Sequence, residues 1–127
     1  RGCRCRRLMH FEAPDESIWI GVLRLELTIN GSRSLKDKRK AVAQVRDRLR
    51  ARHNLSVAEV GHLEDHKRAV LTAVMVANDS RFLQSALDRI AHDVGTWRAA
   101  SLEMVDIALM RPHDDLDSAH YDGHTDV

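Results

Sequence analysis

The densest chemistry in this chain is cationic. Between Arg33 and Arg52 stand nine basic residues (Arg33, Lys36, Lys38, Arg39, Lys40, Arg46, Arg48, Arg50 and Arg52) against two acidic ones, Asp37 and Asp47. The local charge is +7 in a chain whose net charge is only +1, so the remaining residues are acidic on balance. Ammonium and guanidinium groups held close together bind oxyanions, lysine as a point charge and arginine as a planar fork. Lys36, Lys38, Arg39 and Lys40 crowd the stretch just after Ser34. If that stretch opens a helix, its unpaired backbone N–H groups favour an anion as well. The pattern therefore predicts a phosphate-binding set of Ser34, Lys36, Lys38, Arg39, Lys40, Arg46 and Arg50. The competing reading is a solvated face, with Lys38 laying its stem over the edge of the core.

Other clusters carry less. His62, Glu64, Asp65 and His66 fall within five residues. Two imidazoles and two carboxylates are metal ligands or acid–base groups in principle, yet a polar hairpin loop accounts for them more simply. His113, His120 and His124 alternate with aspartates near the end of the sequence, a pattern suited only to weak, adventitious metal binding. Cys3 and Cys5 form a C-x-C pair, two ligands short of a structural zinc site and badly spaced for a disulfide. There is no G-x-S-x-G, no P-loop and no glycine-rich dinucleotide turn. Ser32, Ser34 and His53 share no spacing that would pair a nucleophile with its base. No catalytic residue, cofactor or metal is expected.

The elements that must hold the cations can be read from periodicity. From Trp19, Leu23, Leu25, Leu27 and Ile29 alternate with Val22, Arg24, Glu26 and Thr28, which makes a half-buried strand. Asn30-Gly31-Ser32 supplies a turn. Ser34 then reads as a helix N-cap, with Asp37 three residues on completing an S-x-x-D capping pattern. Leu35, Val42, Val45 and Leu49 fall within roughly 80° of a helical wheel, and Lys38 projects among them, between Val45 and Leu49. His53-Asn54 closes the helix.

Residues 55–62 (LSVAEVGH) read as a second strand, and 67–77 (KRAVLTAVMVA) as a third, apolar on both faces and so central. Asn78-Asp79-Ser80 caps a second helix whose apolar stripe is read as Phe82, Ala86, Leu87, Ile90 and Val94, ending at Gly95. Residues 101–110 give a fourth strand, with Val105, Ile107 and Leu109 opposite Met104, Asp106 and Ala108, and Pro112 stops it.

The order β-α-β-β-α-β predicts an α+β, ferredoxin-like two-layer sandwich, with two helices on one face of an antiparallel sheet. Its free face would carry Ile20, Val22, Arg24, Glu26 and Thr28 plus apolar residues of the third strand. Such a face suits self-association. Hydrophobic residues make up 43% of the chain but aromatics only 4%, so the core must be aliphatic. Base stacking on the sheet is not expected either: Leu23, Leu25, Ala69, Leu71 and Met75 stand where stacking aromatics would be sought on the first and third strands.

The apolar runs fall well short of a membrane span, and RGCRCRRLMH lacks the apolar core of a secretory signal. Residues 1–17 are read as a flexible leader, with Met9 the expected functional start, 18–110 as the domain, and 111–127 as an acidic disordered tail. A cytoplasmic setting without membrane contact follows as the expectation.

The run from Trp19 to about Leu109 resembles the YlxP-like family, a bacterial domain of unknown function numbered 503. The resemblance is carried by Gly21-Val22-Leu23-Arg24-Leu25-Glu26-Leu27, by Gly31-Ser32-Arg33-Ser34-Leu35-Lys36-Asp37-Lys38-Arg39, by Val57-Ala58-Glu59-Val60 and by Val76-Ala77-Asn78-Asp79. It implies a ferredoxin-like fold, genes neighbouring those of translation and ribosome-binding factors, and no catalytic activity. Charge and resemblance together give the expectation of a small cytoplasmic module that meets RNA or a ribosome through phosphate contacts. The alternative is a homo-oligomeric interaction module working through the open sheet face without nucleic acid.

Overall fold

The computed structural model describes residues 17–112; the leader before Ser17 and the acidic segment after Pro112 lie outside them. The chain order is β1 (Trp19–Ile29), α1 (Leu35–Arg52), β2 (Ser56–Gly61), β3 (Arg68–Ala77), α2 (Ser80–Gly95) and β4 (Ala100–Met110). The strands form one antiparallel sheet in the order β2-β3-β1-β4. β3 is central, as its two apolar faces predict.

Alternation in β1 decides which face is which. Leu23, Leu25, Leu27 and Ile29 are buried, while Val22, Arg24, Glu26 and Thr28 are half-buried on the other side. The inward set packs with Ala69, Leu71, Ala73 and Met75 of β3 and Val57 of β2. Onto them the helices lay Val42, Val45 and Leu49 from α1, and Leu83, Leu87, Ile90 and Val94 from α2. Both helices therefore cover one face. Each fully buried leucine contributes on the order of 2 kcal/mol of apolar burial, so this aliphatic layer is the principal stabilising contact of the sandwich.

Three local features refine the sequence reading. Gly31 takes a positive φ of 73° in the turn between β1 and α1, a conformation glycine adopts without the Cβ penalty. At Gly21, α2 comes so close to β1 that a Cβ would stand 2.7 Å from Leu87 Cδ1 and 3.0 Å from Leu83 Cγ. The registers also shift twice. Val60 is the extra residue of β2 opposite β3, and Glu103 is the extra residue of β4 opposite β1.

Two expectations are corrected. Phe82 does not join the apolar stripe of α2: it is 62% exposed, and Leu83 and Ala91 take the buried positions beside Leu87, Ile90 and Val94. Leu23, Leu25, Ala69, Leu71 and Met75 do not occupy the face a stacked base would meet, because they point into the helix-covered core. The open face carries Arg24, Glu26, Thr72, Val74 and Val76 instead. None of these is aromatic, so a stacking platform is missing there for a different reason from the one inferred.

The sheet's two edges differ. β2 has six residues and a bulge, and Arg50 of α1 donates from Nη2 to the Val57 carbonyl on it at 3.3 Å. β4 has eleven residues and, among the described residues, no side chain bonded across its outer rim.

Candidate functional site

α1 gathers the expected residues on one element but not on one surface. Its start is held as the capping pattern requires. Ser34 sits in extended backbone (φ −154°, ψ 165°), and its Oγ accepts from Asp37 N at 3.1 Å. The reciprocal bond falls one residue early: the Asp37 carboxylate accepts from Arg33 N at 3.0 Å, not from Ser34 N. Ser32 Oγ donates to the Ser34 carbonyl at 3.2 Å. The helix start therefore already holds a carboxylate of its own. Ser34 Oγ is committed as the cap, leaving only its hydroxyl proton to offer an anion.

Lys38 leaves the phosphate set. Its relative exposure is 0%, and it lies in the core between α1 and the β2–β3 hairpin. Nζ donates to Glu59 Oε2 at 2.7 Å, to the His62 carbonyl at 2.8 Å and to the Arg68 carbonyl at 3.2 Å, with the Leu63 carbonyl at 3.5 Å. An ammonium has three N–H donors, and the three shorter contacts use them all. A buried charge without partners costs several kcal/mol, whereas one that is paired and fully hydrogen-bonded is tolerated. The stem of Lys38 does run along the core, but its head turns inward rather than to water.

The hairpin is built around this contact. His62 has a positive φ of 54°, uncommon for a residue with a side chain, and its carbonyl serves both Lys38 Nζ and Asp65 N. Asp65 Oδ1 accepts from Lys67 N at 2.8 Å. That backbone bond holds the Asp65 carboxyl below its ordinary range, against a smaller opposing effect of desolvation. The cluster singled out in the sequence thus spends a carbonyl and a carboxylate on shaping a turn. Among the described residues, no group of three or more His, Cys, Asp or Glu side chains is placed to hold a metal ion.

The cations that remain form a flank. Lys36, Arg39 and Lys40 are exposed and, among the described residues, make no ion pair. They stand at i, i+3 and i+4, neighbours on a helix surface. Arg46 and Arg50 continue the row toward the β2 edge. Arg46 Nε lies 3.5 Å from Asp47 Oδ1 and has no hydrogen-bond partner. Arg48 belongs elsewhere: it stacks over Trp97, 4.5 Å from the ring centroid, on the side facing the chain after α2.

Lys67 was missed by sequence reasoning. With Arg33 it lines a depression of about 390 Å³ formed by residues 28–33. Nothing local to Lys67 signals this, since it depends on the β1–β3 register that sets Thr28 opposite Arg68. Glu59 and the hairpin carbonyls were missed for the same reason.

A sheet of order β2-β3-β1-β4 under two helices defines an α+β domain of ferredoxin-like form. Within that class the chain belongs to the family described as protein of unknown function DUF503, whose model matches residues 20–108. No curated protein matches it. Among solved structures it is similar to a de novo designed protein, Foldit4, at 8% identity and a TM-score of 0.46, over 74% of this chain and 97% of that one. It is also similar to SnoaB, a cofactor-independent oxygenase from Streptomyces nogalater, at 14% identity and a TM-score of 0.37, over 74% and 91% of the two chains. Likenesses of this size carry nothing about activity. No helix among the described residues is long and apolar enough to cross a membrane.

Proposed function

We propose that this chain is a small, non-catalytic cytoplasmic module that contacts the phosphates of RNA, free or within a ribosome, through the basic flank of α1. The observation that supports this reading is the row Lys36, Arg39 and Lys40, exposed and without ion pairs among the described residues. Like charges at i, i+3 and i+4 repel by a few tenths of a kcal/mol per pair. Cations in the first turns also oppose the macrodipole by about 0.3–1 kcal/mol each. An anion lying along the flank relieves both costs. Lys38 takes no part, and Arg46 and Arg50 extend the contact.

Phosphate contacts fix position but do not read bases, so binding is expected to show little sequence preference and strong salt dependence. If Lys36, Arg39 and Lys40 each neutralise one phosphate of a single strand, log K falls against log salt with a slope of roughly −2. The test is RNA binding across a salt series for the wild type, a Lys36/Arg39/Lys40→Ala variant and an Arg46/Arg50→Ala variant. Lys38 is spared so that folding is not confounded. Loss of affinity together with a shallower slope in the first variant supports the reading. Equal binding by all three proteins, or none at about 50 mM salt, removes it.

A second reading has its own observation. On the open sheet face Val74 is 37% and Val76 64% exposed, with Met104 of β4 at 50%. These apolar groups favour a homo-oligomer without nucleic acid.

A further inference from the structure

Between the C-terminal end of α1 and the outer side of α2 lies a cleft of about 390 Å³ that the phosphate flank does not use. Arg52 and His53 border it from α1, Phe82, Ala86 and Arg89 from α2, and Met75 from the end of β3. Phe82, turned away from the core and 62% exposed, belongs to this cleft. Arg52 and Arg89 are exposed and make no ion pair among the described residues. His53 Nε2 is enclosed and has no hydrogen-bond partner. An aromatic side chain beside two unpaired guanidinium groups suits an occupant that is apolar in the middle and anionic on either side.

The sequence contains such a segment. Residues 113–127, HDDLDSAHYDGHTDV, follow the described part of the chain and carry five aspartates with no lysine or arginine. Asp115-Leu116-Asp117 sets one large apolar residue between two carboxylates. The point of departure is also close. Met110 of β4 stands opposite Ile20, and Ile20 opposite Val76, so β4 runs out at the same end of the sheet as the cleft. The two outer strands of that trio lie roughly 10 Å apart. From Met110 to Leu116 the chain spans at most about 20 Å, enough to cross two strand spacings.

We infer that residues 113–127 dock into this cleft, with Leu116 against Phe82 and the flanking aspartates against Arg52 and Arg89. The inference does not rest on the RNA reading. The cleft uses the end of α1 opposite to Lys36 and Lys40, and the two can fail separately.

The test uses the full chain, labelled with ¹⁵N, at low salt. Backbone amide spectra are compared for the wild type, an Asp114/Asp115/Asp117→Asn variant and an Arg52/Arg89→Gln variant. The sandwich is built from residues 19–110 and none of these is substituted, so the first variant keeps the fold. The expected result is that it shifts the amides of residues 52–54 and 82–89, and that the Arg52/Arg89→Gln variant shifts the amides of residues 114–117. Both effects should fade above about 0.3 M salt, where screening acts within a few ångströms, and should not change on dilution. Unchanged cleft amides overturn the inference. So do shifts confined to residues 36–40, which place the segment on the basic flank, and shifts that vanish on dilution, which assign it to a second copy.

Discussion

At the scale of single residues, Lys38 is the most informative position, because its charge serves the fold. The ammonium joins α1 to Glu59 and to two carbonyls of the hairpin. Removing it strands a mostly buried carboxylate and leaves both carbonyls short of a donor. Lys38→Met is therefore expected to cost about 3–5 kcal/mol, the range for breaking one side of a buried pair. Lys38→Met/Glu59→Leu should recover part of that loss, since it removes the stranded carboxylate too. Lys36→Ala, on the exposed flank, should stay within about 0.5 kcal/mol of wild type. Urea unfolding of the four proteins decides it, and a Lys38→Met cost as small as that of Lys36→Ala would mean the contact holds little. The sequence does place Lys38 on the apolar side of its helix. Its partners lie 21 and more residues downstream, brought near only by strand pairing, and helical periodicity contains no such information.

At the scale of elements, α2 shows what periodicity can and cannot resolve. Both helices, all four strands and their order were legible, because periods of 2 and 3.6 are distinct over runs of this length. The apolar stripe of α2 was less so. Following steps of four residues through Phe82, Ala86, Ile90 and Val94 drifts about 40° per step, which carries Phe82 to the edge of the buried arc while Leu83 sits inside it. The two bulges left no sequence signal, since a single unpaired residue changes no composition. The seat of α2 on β1 is tight at Gly21, where a methyl group would meet Leu87 and Leu83 below ordinary contact distance. Gly21→Ala is thus expected to destabilise by about 1–3 kcal/mol through overpacking. Pairing it with Leu87→Ala should lessen that penalty relative to the sum of the single changes. Thermal unfolding of the two single variants and the double variant tests it, and strict additivity would show that the two sites do not touch in solution.

At the scale of the whole molecule, a single aliphatic layer lies between helices and sheet, and the second sheet face has none to cover it. One end of that face gathers Ile20, Val22, Val74, Val76 and Met110, while the middle is occupied by Arg24, paired with Glu26 at 2.8 Å and Asp106 at 3.1 Å. Those partners raise the Arg24 pKa, the Glu26 hydrogen bond most of all, so the cation of this centre is already paired within one copy, and the trio is left with one negative charge. Association through the apolar end then needs no anion supplied from outside. The self-association reading predicts a dimer at low micromolar concentration, and Val74→Lys/Val76→Lys should return it to a monomer without loss of folded signal. Sedimentation of both proteins is the measurement, and a strict monomer of the wild type would remove this reading. The open face was partly legible, since alternation in β1 exposes it. The role of the basic residues was less so, because +6 of charge on one helix does not say which cations turn inward.

The unequal edges of the sheet bear on how far any such assembly could grow. β2 is short, interrupted at Val60 and tied down by the Arg50 bond to Val57, whereas β4 runs eleven residues with its outer rim unbonded among the described residues. If two copies joined along β4, each would spend its one receptive margin on the other and turn a guarded one outward. Such a pairing would be self-limiting: it would close at two copies and offer no strand template for a third chain.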